Sequence, residues 1–296
     1  MNAVERINYF VENLSVLDST TDSIELDCAY EWPSEGKISF ENVEMRYRPE
    51  LPSALVNLSF DIKAGEKMGI VGRTGSGKSS LTQVLLRMVE IENGTIKIDG
   101  INIRNMPLSK LRQSIAMIPQ DPVLFAETVR FNLDPENRFT DHQIWQALEK
   151  VNLKSGISFL GGLDAKVELH GANLSVGQRQ LICLARALLL KAKIIIMDEA
   201  TASMDFETDL LIQQTIHSEF ADCTVLCIAH RLDTVISYDR ILVLQQGQLV
   251  EIGTPKALLD KEDGMFTSMV NETGEKNASF LRSIVNSAVV DFTIVL

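Results

Sequence analysis

The spacing of apolar side chains changes period several times along the chain, and those changes divide it into elements. Lys37-Ile-Ser-Phe-Glu-Asn-Val43 is a strand-like segment, and Ala54–Ile62 and Lys67–Val71 are two further β-like runs. Ahead of them, residues 1–36 are mixed and acidic (Glu25, Asp27, Glu31, Glu35), with Trp32-Pro33-Ser34 and Gly36 as breakers, and read as a linker leading into a domain. Lys67–Val71 runs directly into the glycine-rich stretch Gly72-Arg-Thr-Gly-Ser-Gly-Lys-Ser79 and then into an apolar helical segment, Ser80–Met88. From about Ser109 to Lys191 the spacing is mostly helical, most clearly in Asp141–Val151, and strand-like runs return at Lys193–Met197, Thr224–Ala229 and Arg240–Leu244. This order predicts a helical insertion over about 121–190 within one domain spanning 37–272, in preference to two independent domains. The remaining stretch, 273–296, begins polar and closes with apolar Val289–Leu296, and reads as a C-terminal tail.

Composition narrows the class. With 45% apolar and 23% charged residues the chain has ordinary globular proportions and enough apolar side chains for a sizeable core. The longest apolar runs, such as Ile194–Met197, fall far short of the roughly 20 residues that cross a bilayer, so this piece is expected to be soluble by itself. Met1-Asn-Ala-Val-Glu-Arg-Ile has no basic segment followed by an apolar one, the pattern of an export signal. Cys28, Cys183, Cys223 and Cys227 show no CxxC spacing and read as reduced thiols of the core. A net charge of −12 with no basic face argues against a nucleic-acid partner.

The chemistry-bearing residues begin with Gly72-x4-Gly77-Lys78-Ser79, which satisfies the P-loop pattern. Glycines let backbone N–H groups close around phosphate oxygens, Lys78 neutralises β/γ-phosphate charge, and the Ser79 hydroxyl can ligate Mg²⁺. Strand, glycine loop and helix follow one another in the order that such a unit needs. Lys193-Ile-Ile-Ile-Met-Asp-Glu199 is an apolar strand ending in two acids; paired with a P-loop, it suits Asp198 for holding Mg²⁺ through water and Glu199 for polarising an attacking water.

Leu174-Ser-Val-Gly-Gln178, just before a helical segment and ahead of the Asp198-Glu199 strand, resembles the LSGGQ signature of the nucleotide-binding domains of ABC transporters, with Val176 replacing a glycine. The resemblance implies an α/β fold of the ABC type of P-loop NTPase: a mixed core sheet, an antiparallel β part, and a helical subdomain carrying the signature. It further implies that Tyr47 stacks on adenine, that Gly72, Arg73, Thr74, Gly75, Ser76, Gly77, Lys78, Ser79 and Ser80 bind the phosphates, and that Ser79, Gln120 and Asp198 hold Mg²⁺. Glu199, His230, Lys78 and Gln120 take the catalytic roles, and Ser203-Met-Asp205 resembles the D-loop. Ser175, Gly177 and Gln178 face the γ-phosphate of ATP bound to a partner domain across a head-to-tail dimer; a Ser hydroxyl, a close-approaching glycine and a helix N-terminus form an anion site.

The resemblance narrows to the C subfamily, the multidrug-resistance-associated proteins, and to the second of their two ATP-binding domains. It rests on Tyr47-Arg-Pro49, Gly72-Arg-Thr-Gly75, Ile118-Pro-Gln-Asp-Pro-Val-Leu-Phe125, Val129-Arg-Phe-Asn-Leu-Asp-Pro135 and Asn173-Leu-Ser-Val-Gly-Gln-Arg-Gln-Leu181. Glu168-Leu-His-Gly-Ala-Asn173 departs from the family's acid-Gly-Gly-acid run ahead of the signature. The implied function is ATP-driven export at the cytoplasmic face of a membrane, with the first nucleotide-binding domain and the transmembrane domains as partners. The latter would be reached through the Gln120 loop and the helical insertion. Two other readings remain at this point, a nucleotide-sensing domain of a channel-modulating relative and a soluble ABC ATPase.

Overall fold

The structure, a computed structural model, describes residues 32–198, 206–229 and 231–286. Its strands are β1 (Ile38–Met45), β2 (Leu55–Ile62), β3 (Lys67–Val71), β4 (Asn93–Ile98), β5 (Ile101–Asn102), β6 (Ile115–Ile118), β7 (Ile194–Asp198), β8 (Thr224–Ile228), β9 (Arg240–Gln245) and β10 (Gln248–Gly253). The helices that position the site are α1 (Lys78–Leu85), α2 (Leu108–Ser114), α3 (Val129–Leu133), α4 (Asp141–Lys150), α5 (Lys154–Leu160), α6 (Val176–Leu190), α7 (Phe206–Glu219), α8 (Leu232–Val235), α9 (Pro255–Leu259), α10 (Met265–Glu272) and α11 (Glu275–Asn286).

Two sheets form. The smaller is antiparallel with order β2-β1-β4-β5, and the larger has order β10-β9-β3-β8-β7-β6, parallel except for the edge strand β10. β1 buries Ile38 and Phe40, then Val43 and Met45, so its inward positions change parity midway. The register shift between Phe40 and Val43 absorbs that change, with Asn42 at a φ of 50°; without the bulge Val43 would turn to the opposite face.

The central strands read as near-continuous apolar runs, as a parallel sheet covered on both faces requires. Alternation within each strand assigns its residues to two cores. Ile70, Ile194, Ile196, Leu226, Ile228, Leu242 and Leu244 pack with β1, β2, β4 and α1, through side chains such as Phe40, Leu81 and Leu85. Val71, Ile195, Met197, Val225, Cys227, Ile241 and Val243 pack instead with the helices that follow β6 and with the C-terminal helices, through Ile144, Ile182, Leu184 and Phe266. The α11 helix, within the stretch read as a tail, buries Ala278 and Leu281 in that second core.

Three of the four cysteines lie among the described residues and are free thiols, as the sequence suggests. Cys183 and Cys227 are buried, and desolvation pushes the Cys227 thiol up to about 12. Among the described residues no helix is long and apolar enough to cross a membrane.

The sheets are joined at the tip of the β9–β10 hairpin, where Gln246 and Gly247 both have positive φ, 48° and 77°, the signature of a tight primed turn. Gly247 N donates to Ser76 O at 2.9 Å, and Gly247 O accepts from Val56 N at 2.8 Å, so one residue bonds the glycine loop to the antiparallel sheet. A Cβ at Gly247 would lie 2.5 Å from Ala54 O. Gly247→Ala is therefore expected to lower stability by about 1–3 kcal/mol and to weaken nucleotide binding together with it. Thermal unfolding and nucleotide titration of the same variant check both effects.

Candidate functional site

The glycine loop occupies the six positions between the end of β3 at Val71 and the start of α1 at Lys78. Its shape depends on missing side chains. A Cβ on Gly72 would stand 2.3 Å from Leu244 O and 2.5 Å from Ser76 Oγ, and one on Gly77 would stand 2.9 Å from Ala54 O. Gly75, at a φ of 78°, has nothing within 4 Å of its would-be Cβ, so the loop's outer turn is open. Lys78 is only 5% exposed, and its Nζ donates to Gly72 O at 2.8 Å and Arg73 O at 3.2 Å. The cation thus sits inside the loop. The α1 helix begins with no side-chain cap and no acidic residue in its first turn. Its leading N–H groups and its dipole suit an anion.

The other elements of the site are set by strand register. In the order β3-β8-β7-β6, Ile70 and Asp198 both pair with Ile228, and Ile118 pairs with Met197. The carboxyl ends of β3, β7 and β6 therefore share one edge, which is where open α/β sheets bind ligands. Asp198 stands two strands from Ile70, roughly 9–10 Å at ordinary strand spacing. Gln120 follows β6 by two residues and is exposed, as are Arg73, Thr74, Gly75 and Ser79 of the loop; Ser76 is buried. Arg73 reaches Glu272 of α10 at 2.8 Å, both largely exposed, a contact of small energetic weight.

Tyr47 lies in the connection from β1 to β2 and is 47% exposed. Its hydroxyl bonds to Ser80 Oγ at 2.9 Å and donates to Gln83 Oε1 at 2.9 Å, both on α1. The aromatic ring read as an adenine platform is thereby fixed to the helix that follows the glycine loop.

The signature segment starts α6. Ser175 is its N-cap: Ser175 Oγ accepts from Gln178 N at 3.1 Å, and Gln178 Oε1 accepts from Ser175 N at 2.9 Å, a reciprocal capping box. Gly177 serves close packing, since a Cβ there would meet the Thr208 side chain of α7 at 2.6 Å. Two residues beyond the segment, the same helix reaches the Gln120 loop. Gln180, fully buried, donates from Nε2 to Pro119 O at 2.9 Å, directly ahead of Gln120.

Further along α6, Arg186 donates to Asn132 O at 2.5 Å, Asn132 Oδ1 at 3.1 Å and Val123 O at 3.1 Å, and burial lowers its pKa. Asn132 in turn bonds the backbone of Phe125 through both ends of its amide. Gln180, Arg186 and Asn132 are absent from the sequence-derived site residues; the signal for them is polar type inside an otherwise apolar stretch, which becomes informative only once their carbonyl partners are known. Above this scaffold a groove of about 300 Å³ is lined by Phe125, Phe131, Leu133, Phe139, Leu189 and Leu190 among others. Phe125 and Phe131, 57% and 39% exposed, meet edge to face with centroids 6.0 Å apart.

Glu199, His230 and the Ser203-Met-Asp205 segment lie outside the described residues. Next to His230 in sequence, Arg231 is paired with Asp233 and Asp209, and its hydrogen bond to Asp233 raises its pKa.

The family model described as "ABC transporter" matches residues 55–202. ABC transporter C family member 12 of Dictyostelium discoideum is 48% identical over 290 residues, covering 97% of this chain and 22% of that protein. Human ATP-binding cassette sub-family C member 2 is 45% identical over 94% of this chain and 19% of its own length. The oligomycin resistance ATP-dependent permease YOR1 of Saccharomyces cerevisiae is 46% identical over 93% and 20% respectively. The chain thus spans about a fifth of the length of the curated relatives it matches. Among solved structures, a bacterial Atm1-family ABC exporter with ATP bound superposes with a TM-score of 0.82 at 30% identity, over 92% of this chain and 47% of the other. With the glycine loop, the strand-end acid and the capped signature helix in their places, the chain belongs to the ABC transporter family and is an ATP-binding domain of its C-subfamily type.

Proposed function

We propose that this chain is the ATP-hydrolysing motor domain of a membrane exporter, working at the cytoplasmic face in a head-to-tail dimer with a second nucleotide-binding domain. The observation that carries this reading is the open glycine loop with Lys78 buried inside it, on the same sheet edge as Asp198 and Gln120. Adenine stacks on Tyr47, and the phosphates lie against the backbone of Gly72 to Gly77 and the first turn of α1, with Lys78 turning from the loop carbonyls toward phosphate oxygens.

The donor set fits a hard cation. Ser79 supplies an exposed hydroxyl, Gln120 an exposed amide oxygen, and Asp198 a half-buried carboxylate at a strand tip. These residues would hold Mg²⁺, which would supply charge neutralisation for the phosphates. Glu199 polarises the attacking water and His230 contacts the γ-phosphate. Phosphoryl transfer demands position and charge neutralisation more than covalent help. Ser175, Gly177 and Gln178 complete the partner's site, so the isolated domain is a slow ATPase.

The groove under Phe125 and Phe131 is the proposed docking surface for the transmembrane part. Both rings are exposed although the backbone beneath them is held by Asn132 and Arg186, the combination of exposed aromatic anchor and rigid support typical of interface hot spots. Gln180 bonds the signature helix to the peptide ahead of Gln120, so a displacement at the groove reaches the nucleotide edge and the signature together.

ATP turnover of the chain, alone and mixed with its partner domain, tests the motor reading. The mixture should turn over faster; Glu199→Gln should abolish hydrolysis while keeping ATP bound, and Lys78→Ala should lose binding. ATP bound with turnover indifferent to Glu199→Gln would instead indicate a nucleotide-sensing module. Separately, replacing Phe125 and Phe131 by Ala should weaken capture of the chain by its membrane part roughly tenfold or more and leave ATP affinity unchanged. A pull-down against the separately expressed membrane part, with ATP titration as control, measures this.

A further inference from the structure

We propose that Gln83, acting with Ser80, is the positioning residue for the base: it holds the Tyr47 ring at a fixed place relative to the glycine loop and so contributes to ATP affinity without touching the nucleotide. The inference rests on the ATP-binding reading above.

The hydroxyl of Tyr47 has one proton, and it is given to Gln83 Oε1 at 2.9 Å; Ser80 Oγ, also at 2.9 Å, is then the donor to Tyr47. The three groups form a directed chain, Ser80 to Tyr47 to Gln83. Ser80 and Gln83 are three residues apart on α1 and share a face of that helix. Ser80 is 7% exposed, which fixes one end of the chain inside the protein.

Tyr47 comes from a different part of the fold. Its loop leaves the antiparallel sheet after Met45 and is closed on itself by Ala54 N to Met45 O at 2.7 Å, Leu51 N to Arg48 O at 3.0 Å, and Arg46 Nη2 to Ser53 Oγ at 3.1 Å. Those bonds shape the loop but leave the Tyr47 ring to its own torsions. The two bonds to α1 remove that freedom. With the hydroxyl held and 47% of the residue still exposed, the ring is presented to solvent in a set orientation. Because α1 also begins with Lys78, the base platform and the phosphate cradle are parts of one unit, and the separation between them is set before nucleotide arrives. A ring ordered in advance loses less conformational freedom on binding.

The test compares binding of MgATP with that of inorganic tripolyphosphate and Mg²⁺, which probes the cradle without a base, using the full chain. Gln83→Met removes the acceptor at similar length, and Tyr47→Phe removes the hydroxyl while keeping the ring. Gln83→Met should weaken ATP binding roughly threefold to tenfold, the range for one lost hydrogen bond, and Tyr47→Phe, which also loses the bond from Ser80, at least as much, with tripolyphosphate affinity and thermal midpoint held. The double variant should be no weaker than Tyr47→Phe alone, because that change already removes the bond to Gln83. Gln83→Glu, which retains an acceptor, should recover the wild-type ratio of ATP to tripolyphosphate affinity. Unchanged ATP affinity in Gln83→Met while Tyr47→Ala weakens it, additive single effects, or an equal loss for tripolyphosphate would each overturn the role given to Gln83. A wild-type chain that binds neither ligand would overturn the ATP-binding reading itself, and the inference with it.

Discussion

Lys78 carries a charge at 5% exposure, and the rest of the site is arranged by what that charge requires. An ammonium withdrawn from water is tolerated only where acceptors surround it. Here the loop's own carbonyls, Gly72 O and Arg73 O, do so. The loop can curl around the lysine because Gly72 and Gly77 have no side chains where Leu244 O and Ala54 O approach, and because Gly247 pins Ser76 from behind. An anion with several oxygens offers the same cation stronger partners than neutral carbonyls do. The loop thus holds the Lys78 ammonium at the place where phosphate oxygens are proposed to meet it.

The two cores built on one sheet give this local arrangement its reach. Odd and even residues of β3, β7, β8 and β9 belong to opposite apolar clusters, so the antiparallel β part and the helical part are packed on the two faces of the same strands. The β part brings Tyr47 to α1, and the helical part brings the signature helix to the Gln120 loop through Gln180. The aromatic groove at Phe125 and Phe131 rests on Arg186 of that same helix.

Much of this was legible in the residues. The long apolar strands β3, β7, β8 and β9, the helix Asp141–Lys150 with its capping box on Thr140, and the glycine loop all carry strong local signals. Short or edge elements do not. β4 shows only Ile96 and Ile98 as large apolar residues, and β10 lies at the sheet edge with no fully buried residue, so neither has the contrast that a strand pattern needs. β6 is four residues long and follows α2 directly, and its Ile-Ala-Met-Ile run is indistinguishable from buried helix by periodicity. The motif residues could be named from their order along the chain, whereas the residues that hold them could not. Gln83, Gln180, Arg186 and Gly247 act through partners 36 to 191 positions distant in sequence, as in Tyr47 to Gln83, Pro119 to Gln180 and Val56 to Gly247.

The proposed function places ATP with its phosphates around Lys78 and its base on Tyr47. Photolabelling of the chain with an azido-adenine analogue of ATP, followed by peptide mapping, addresses it directly. Label should fall on the peptide that contains Tyr47, be competed by ATP and be lost in Lys78→Ala. Label that settles on another surface, or that survives Lys78→Ala undiminished, would contradict it.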